Sequence, residues 1–244
     1  MIYKTFTNGL EVEARFPDDD IQNIYIPLLR RLTRMQEEKK SRIIVLMAAP
    51  PGAGKTTLAA FLSYLSKRTQ NVKPLVALGM DGFHYYQDYL DTHQCIRDGK
   101  TINLADIKGA PETFNLNKLT EAVDRLYRKE NIMWPDYNRL KGNPVEDVYS
   151  VEGDIILIEG NYLLLNYSRW KELRNYADYT IMLKADEQVA RSRLITRKMR
   201  GKTISYQDAV NHVNNSDLYN FRIVENNSAT ADMIIDFSHT SDFI

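Results

Sequence analysis

The sequence predicts an α/β fold, a parallel sheet with helices on both faces. Two observations carry this. Apolar runs of strand length alternate with segments whose apolar residues recur at helical spacing. The first strong run, Ile43-Ile44-Val45-Leu46-Met47-Ala48, is apolar throughout, which suits a strand buried on both faces of a parallel sheet.

Taken in order, Asp18-Asp19-Asp20 is a plausible helix start and Pro27 suits a first helical turn. Leu28, Leu29, Leu32 and Met35 then give one apolar face, and Glu37–Arg42 reads as a charged connector. Residues 1–42 are thus expected to form an N-terminal helical extension, and 43–244 the main domain. After the strand at 43–48, Leu58, Phe61, Leu62 and Leu65 mark a helix. A second strand covers Leu75–Gly79, and Leu116, Leu119, Val123 and Leu126 mark another helix. Asp154–Ile158 and Tyr179–Leu183 are the third and fourth strands. Asp186 caps a helix running toward Gly201, and Met233-Ile234-Ile235 is the fifth strand. Residues 84–113 and 131–150 fit the alternation poorly and are expected as insertions. Ligands of such sheets bind beyond the carboxyl ends of the strands, so those insertions would lie near the binding edge.

At 244 residues the chain has room for one or two domains and a full core. Lys+Arg and Asp+Glu are equal at 32 each, so no global field argues for nucleic acid or an acidic membrane surface. Cys95 is the single cysteine, which excludes an intrachain disulfide framework. No apolar stretch approaches the roughly 20 residues needed to span a bilayer, and the N-terminus lacks a signal-peptide core. A soluble cytoplasmic protein is expected. Oligomeric state is open, a homodimer included.

Ala49-Pro50-Pro51-Gly52-Ala53-Gly54-Lys55-Thr56 joins the first strand to its helix and nearly matches G-x-x-x-x-G-K-[ST]. Glycines let backbone N–H groups surround phosphate oxygens, and the helix N-terminus adds its positive end. Lys55 would reach the β- and γ-phosphates, and the Thr56 hydroxyl would bind Mg²⁺. Ala49 stands where the pattern has its first glycine, which requires a negative φ there. Without its context the segment is only a strand–turn–helix corner. Asn117-Lys118-Leu119-Thr120 lacks the aspartate of a guanine-reading motif, and no Leu-Ser-Gly-Gly transporter signature occurs.

Three further segments favour a kinase. Asp81-Gly82-Phe83-His84 follows the second strand; its carboxylate could take the proton of an acceptor hydroxyl, or the Asp-Gly pair could simply turn the chain. Glu159-Gly160-Asn161-Tyr162 ends the third strand; the acid could hold a Mg²⁺ shell, or merely face solvent. Arg193, Arg197 and Arg200 share a helical face after the fourth strand and could close over phosphates, or be a solvated basic face.

Together with Lys108-Gly109-Ala110-Pro111-Glu112-Thr113-Phe114 and Trp134-Pro135-Asp136-Tyr137-Asn138-Arg139, these segments resemble the phosphoribulokinase / uridine kinase / bacterial pantothenate kinase group, nearest its nucleoside/nucleotide kinase branch. The resemblance spans roughly residues 45 to 236. It implies a P-loop NTPase fold, a three-layer α/β/α sandwich on a five-stranded parallel sheet of order 2-3-1-4-5, with a lid at about 186–202. It implies ATP and Mg²⁺ as cofactors. Asp81 looks like the general base, Lys55 and Arg193 like its catalytic companions, and Thr56 and Glu159 like the metal residues. Pro50, Pro51, Gly52, Ala53, Gly54, Lys55, Thr56, Thr57, Arg193, Arg197 and Asn220 look like nucleotide-binding positions. Tyr137 and Arg139, with His84 and Lys108, look like acceptor-site positions beside Asp81. On the residues alone, Trp134 and Tyr137 could pack on the sheet edge and Arg139 could pair a structural carboxylate.

The expected activity is transfer of the ATP γ-phosphate to a hydroxyl of a small metabolite. The rivals are an NTPase coupled to a partner and a nucleotide-binding regulatory protein. Pantothenate, a nucleoside, a sugar and a sugar phosphate are all open as acceptors. A sugar phosphate would want extra cations, for which Arg97, Lys108 and Arg139 are available.

Overall fold

The computed structural model describes residues 1–7, 10–97, 99–200 and 204–237. It opens with a hairpin, β1 (Ile2–Thr7) antiparallel to β2 (Leu10–Arg15), where the sequence reading placed no strand. A helical rod follows: α1 (Asp18–Asp20), a π turn over Ile21–Tyr25, and α2 (Ile26–Lys39). Helix thus extends into the expected connector and stops at Lys40, which is left-handed at φ 53°. Arg42 is buried, its guanidinium donating to the carbonyls of Gly153 (2.9 Å) and Glu130 (2.7 Å).

The chain continues through β3 (Ile43–Ala48), α3 (Lys55–Ser66), β4 (Leu75–Gly79) and a 3-10 turn over Met80–Phe83. Next come α4 (Gln87–Thr92) and the short hairpin β5 (Gln94–Arg97) with β6 (Lys100–Asn103). After α5 (Leu116–Tyr127) a second, longer hairpin pairs β7 (Ile132–Asn138) with β8 (Asn143–Val151). The two segments expected as insertions therefore hold these two hairpins, α4 and short 3-10 turns. Then follow β9 (Ile155–Gly160), β10 (Tyr179–Lys184), α6 (Glu187–Met199), α7 (Tyr206–His212), a π turn, α8 (Leu218–Asn227) and β11 (Met233–Asp236). The end of the expected lid, from Gly201, and the C-terminus from residue 238 lie outside the described residues.

The main sheet is parallel, in the order β4-β9-β3-β10-β11. In the numbering of the five expected strands this is 2-3-1-4-5. On β3, alternate side chains feed two cores. Ile43, Val45 and Met47 join the core that contains α2, α3 and the N-terminal hairpin. Ile44, Leu46 and Ala48 join the core built from α5, Trp134 and residues 162–165. Burial on both sides is why the strand is apolar throughout rather than alternating. The N-terminal segment is built into the first core, where Phe16 stacks on Phe61 of α3 with ring centroids 3.8 Å apart. Among the described residues no helix is long and apolar enough to cross a membrane.

Candidate active site

The carboxyl ends of β3, β4 and β9 converge on one cavity of about 520 Å³. Its wall includes Lys55, Asp81, His84, Lys108, Tyr137 and Arg139. Arg197 and Asn220, from α6 and α8, close the other side.

The loop after β3 holds two glycines in left-handed conformation, Gly52 (φ 79°) and Gly54 (φ 95°). Gly54 is also the N-cap of α3, and no side chain caps that helix. Its first-turn amides suit an anion. A Cβ on Gly52 would lie 2.7 Å from the Ala190 carbonyl oxygen and 2.9 Å from Leu194 Cγ. The loop is thus wedged against α6, and Arg193 donates to the Gly52 carbonyl at 3.5 Å. Ala49 is buried and keeps a negative φ, the condition for an alanine at that corner.

Under the loop, Thr56 Oγ1 donates to Glu159 Oε1 at 2.8 Å. Glu159, at the end of β9, is 4% exposed, so it is not a solvated strand end. Burial pushes its carboxyl up to about 7, against the pull of Lys55. Burial also lowers the Lys55 ammonium, countered by Glu159 and Asp81. A hydroxyl and a carboxylate side by side at a phosphate-sized cradle are hard oxygen donors of the type Mg²⁺ takes.

Asp81 sits in the 3-10 turn after β4. Burial opposes its ionisation, but Arg139, then His84, Lys55 and Arg197, outweigh it and hold the carboxyl below its ordinary range. The Arg139 guanidinium donates to Asp81 Oδ2 at 3.1 Å. The Asp-Gly pair does turn the chain, and it also aims a charge into the cavity. Gly82 is required for a separate reason: a Cβ there would lie 2.6 Å from Pro135 C and O. His84 Nδ1 sits 2.8 Å from the Asp81 carbonyl oxygen, and its ring packs on Phe114 and Tyr137. Burial lowers its pKa, which keeps the ring neutral. Trp134 is fully buried with Nε1 donating to the Gly79 carbonyl, so it holds the hairpin to the sheet, whereas Tyr137 reaches the cavity.

On the lid side, burial and the neighbouring Arg139 lower Arg197 to about 10. Arg200 lines the cavity just past the end of α6, while Arg191 donates to Asn214. Asn220 is 3% exposed, and its Oδ1 has no hydrogen-bond partner.

The profile of the Phosphoribulokinase / Uridine kinase family matches residues 43–243. The chain belongs to this family. Relatives resemble it along nearly their whole length. The Escherichia coli (strain K12) protein YggC is 37% identical over 232 residues, covering 95% of this chain and 93% of that one. A Schizosaccharomyces pombe protein provisionally described as a uridine kinase, C227.14, is 29% identical, covering 93% and 94%. Among solved structures, a Silicibacter sp. TM1040 protein provisionally described as a fructose transport system kinase superposes with a TM-score of 0.73 at 27% identity, covering 85% of this chain and 98% of that one.

In this kinase, every expected acceptor-site residue reaches the one cavity. Arg193 does not line it but braces the phosphate loop. The sequence reading missed Gln87, Lys198, Asp208 and His212, which also line it. Asp208 and His212 lie on α7, whose start was legible: Ser205 caps it by accepting from the Asp208 amide, an S-x-x-D pattern.

Proposed function

We propose that the chain transfers the γ-phosphate of ATP, in a Mg²⁺-dependent reaction, to a hydroxyl of a small metabolite. The observation that carries this reading is the shared cavity in which Asp81, held ionised, faces Lys55 and the uncapped start of α3. ATP would bring the phosphoryl group, and Mg²⁺ would disperse its charge. The backbone amides of residues 52–57 and the Lys55 ammonium bind the phosphates. Thr56 and Glu159 hold the metal side, the first by its hydroxyl. Asp81 takes the proton from the attacking hydroxyl, and Arg197 screens developing charge and excludes water. Arg193 acts by holding the loop. The buried amide of Asn220 offers its oxygen to the base of the nucleotide. A cytoplasmic location goes with these substrates.

The test is a screen of hydroxylated metabolites for ADP release, with Asp81→Asn as control. Loss of the base lowers kcat by roughly 10²–10⁴-fold, with MgATP affinity retained. An unaltered kcat on an identified acceptor refutes the assignment. ATP hydrolysis at full rate with no acceptor present favours an NTPase instead.

A further inference from the structure

We infer that Asn161 selects the acceptor: its amide oxygen takes a hydrogen bond from a second hydroxyl of the molecule whose first hydroxyl reacts at Asp81, so the acceptor is a polyol. This rests on the kinase reading above and narrows it.

The first support is an unmet acceptor atom. Asn161 lies one residue past the end of β9 and lines the cavity, and its Oδ1 is buried with no hydrogen-bond partner. Buried polar atoms in folded proteins are paired as a rule, so an orphan on a cavity wall points to a group the site receives. The orientation of the amide is set from behind. The Tyr162 hydroxyl gives its one proton to the Gly109 carbonyl at 2.5 Å. The Asn161 side chain hydrogen-bonds the same hydroxyl in the sense that favours its ionised form, which is the sense of a donor. The NH₂ group is thus turned to Tyr162, and the oxygen is left to the cavity.

The second support is position. β4 and β9 pair in register at Gly79 and Glu159, and Asp81 and Asn161 each stand two residues beyond that pair. A Cβ on Gly79 would lie 3.3 Å from Glu159 Oε1, so the two chains are closely apposed there. Paired strands run about 4.8 Å apart, within reach of two hydroxyls on one carbon skeleton. The third support is the kind of group beside the reacting hydroxyl. His84 Nδ1 is 2.8 Å from the Asp81 carbonyl oxygen, which can only accept, so Nδ1 carries the proton. In the neutral ring Nε2 is then an acceptor. Packing on Phe114 and Tyr137, at centroid distances of 3.8 and 4.9 Å, fixes the plane of that ring. The ionised carboxylate of Asp81 also only accepts. A simple alcohol has one proton, and Asp81 takes it. Asn161 Oδ1 therefore needs another donor on the same molecule, and a keto or carboxylate oxygen in that place would set acceptor against acceptor. Water on the bound metal is the competing donor, which the experiment separates.

The experiment measures ADP release by the full chain with pentoses, hexoses, their monophosphates and nucleosides, each beside its monodeoxy forms. For the best acceptor, loss of one particular non-reacting hydroxyl is expected to lower kcat/KM by at least about 10-fold. In Asn161→Leu the parent compound falls to the level of that deoxy form, and the deoxy form is used about as well as by the wild type, so the preference disappears. MgADP binding and the Mg²⁺ dependence stay as they were. Equal use of the parent and all its deoxy forms by the wild type overturns the inference, and this comparison needs no variant. So does a preference that survives in folded Asn161→Leu. So does a variant whose Mg²⁺ half-saturation shifts while its acceptor KM does not, which would give the amide to metal-bound water. So does a panel in which no polyol raises ADP release or binds the MgADP complex in calorimetry. Failure of the kinase reading is read separately, as no uptake of MgADP by the folded chain in the first titration.

Discussion

A carboxyl and an ammonium buried together each move toward neutrality, as Glu159 and Lys55 do here. Asp81 escapes because its surroundings supply cations faster than burial removes solvent. His84 is the opposite case, with a folded pKa below its ordinary 6.5. The unfolded chain takes up a proton that the folded ring resists, so the contribution is complete above the ordinary value and is lost as pH falls through it toward the lowered one. The stability advantage of the wild type over His84→Gln is therefore expected to shrink from about pH 7.5 to about pH 5 in urea titrations. A constant difference would place the ring in solvent. At this scale the motif residues were legible because phosphate chemistry constrains residue type and spacing together. The Asp81–Arg139 pair was not: 58 positions separate the partners, and only the fold brings them into contact.

Elements were legible where period and composition agreed. β3, β9 and β10 stood out because burial on two faces leaves little choice of residue, while the edge strands β4 and β11, less buried, showed as short apolar runs. The hairpins did not, although Asn8-Gly9 and Asp98-Gly99 are strong short-range turn signals between β1 and β2 and between β5 and β6. Their flanking strands are short and largely polar, so the period-2 signal is weak. The hairpin that carries Tyr137 and Arg139 meets the base loop at Gly82, where there is no room for a methyl group. Gly82 has a negative φ, so the cost of Gly82→Ala is steric rather than conformational. A loss of about 1–3 kcal/mol is expected, together with a displaced hairpin and a raised acceptor KM. Unchanged thermal unfolding and kinetics would show that the contact yields freely.

For the whole molecule, the N-terminal segment is the part whose role the sequence least disclosed. Its helix was evident, but its share in the main core depends on Phe16, which is fully buried against Phe61, Tyr25 and Phe237. Phe16→Ala is expected to cost about 3–5 kcal/mol, read as a lowered midpoint in denaturant, and to spare MgADP binding at low temperature, since none of the rings it touches lines the cavity. A midpoint unchanged by the substitution would make the segment an appendage.

The wedge of Gly52 against Ala190 and Leu194 has a mechanical corollary. α6 is braced on the loop through its middle turns, and Arg197 stands about one turn beyond Leu194 on the same helix. The loop thereby sets where that arginine stands: a side chain added at Gly52 would push the helix away and carry Arg197 with it.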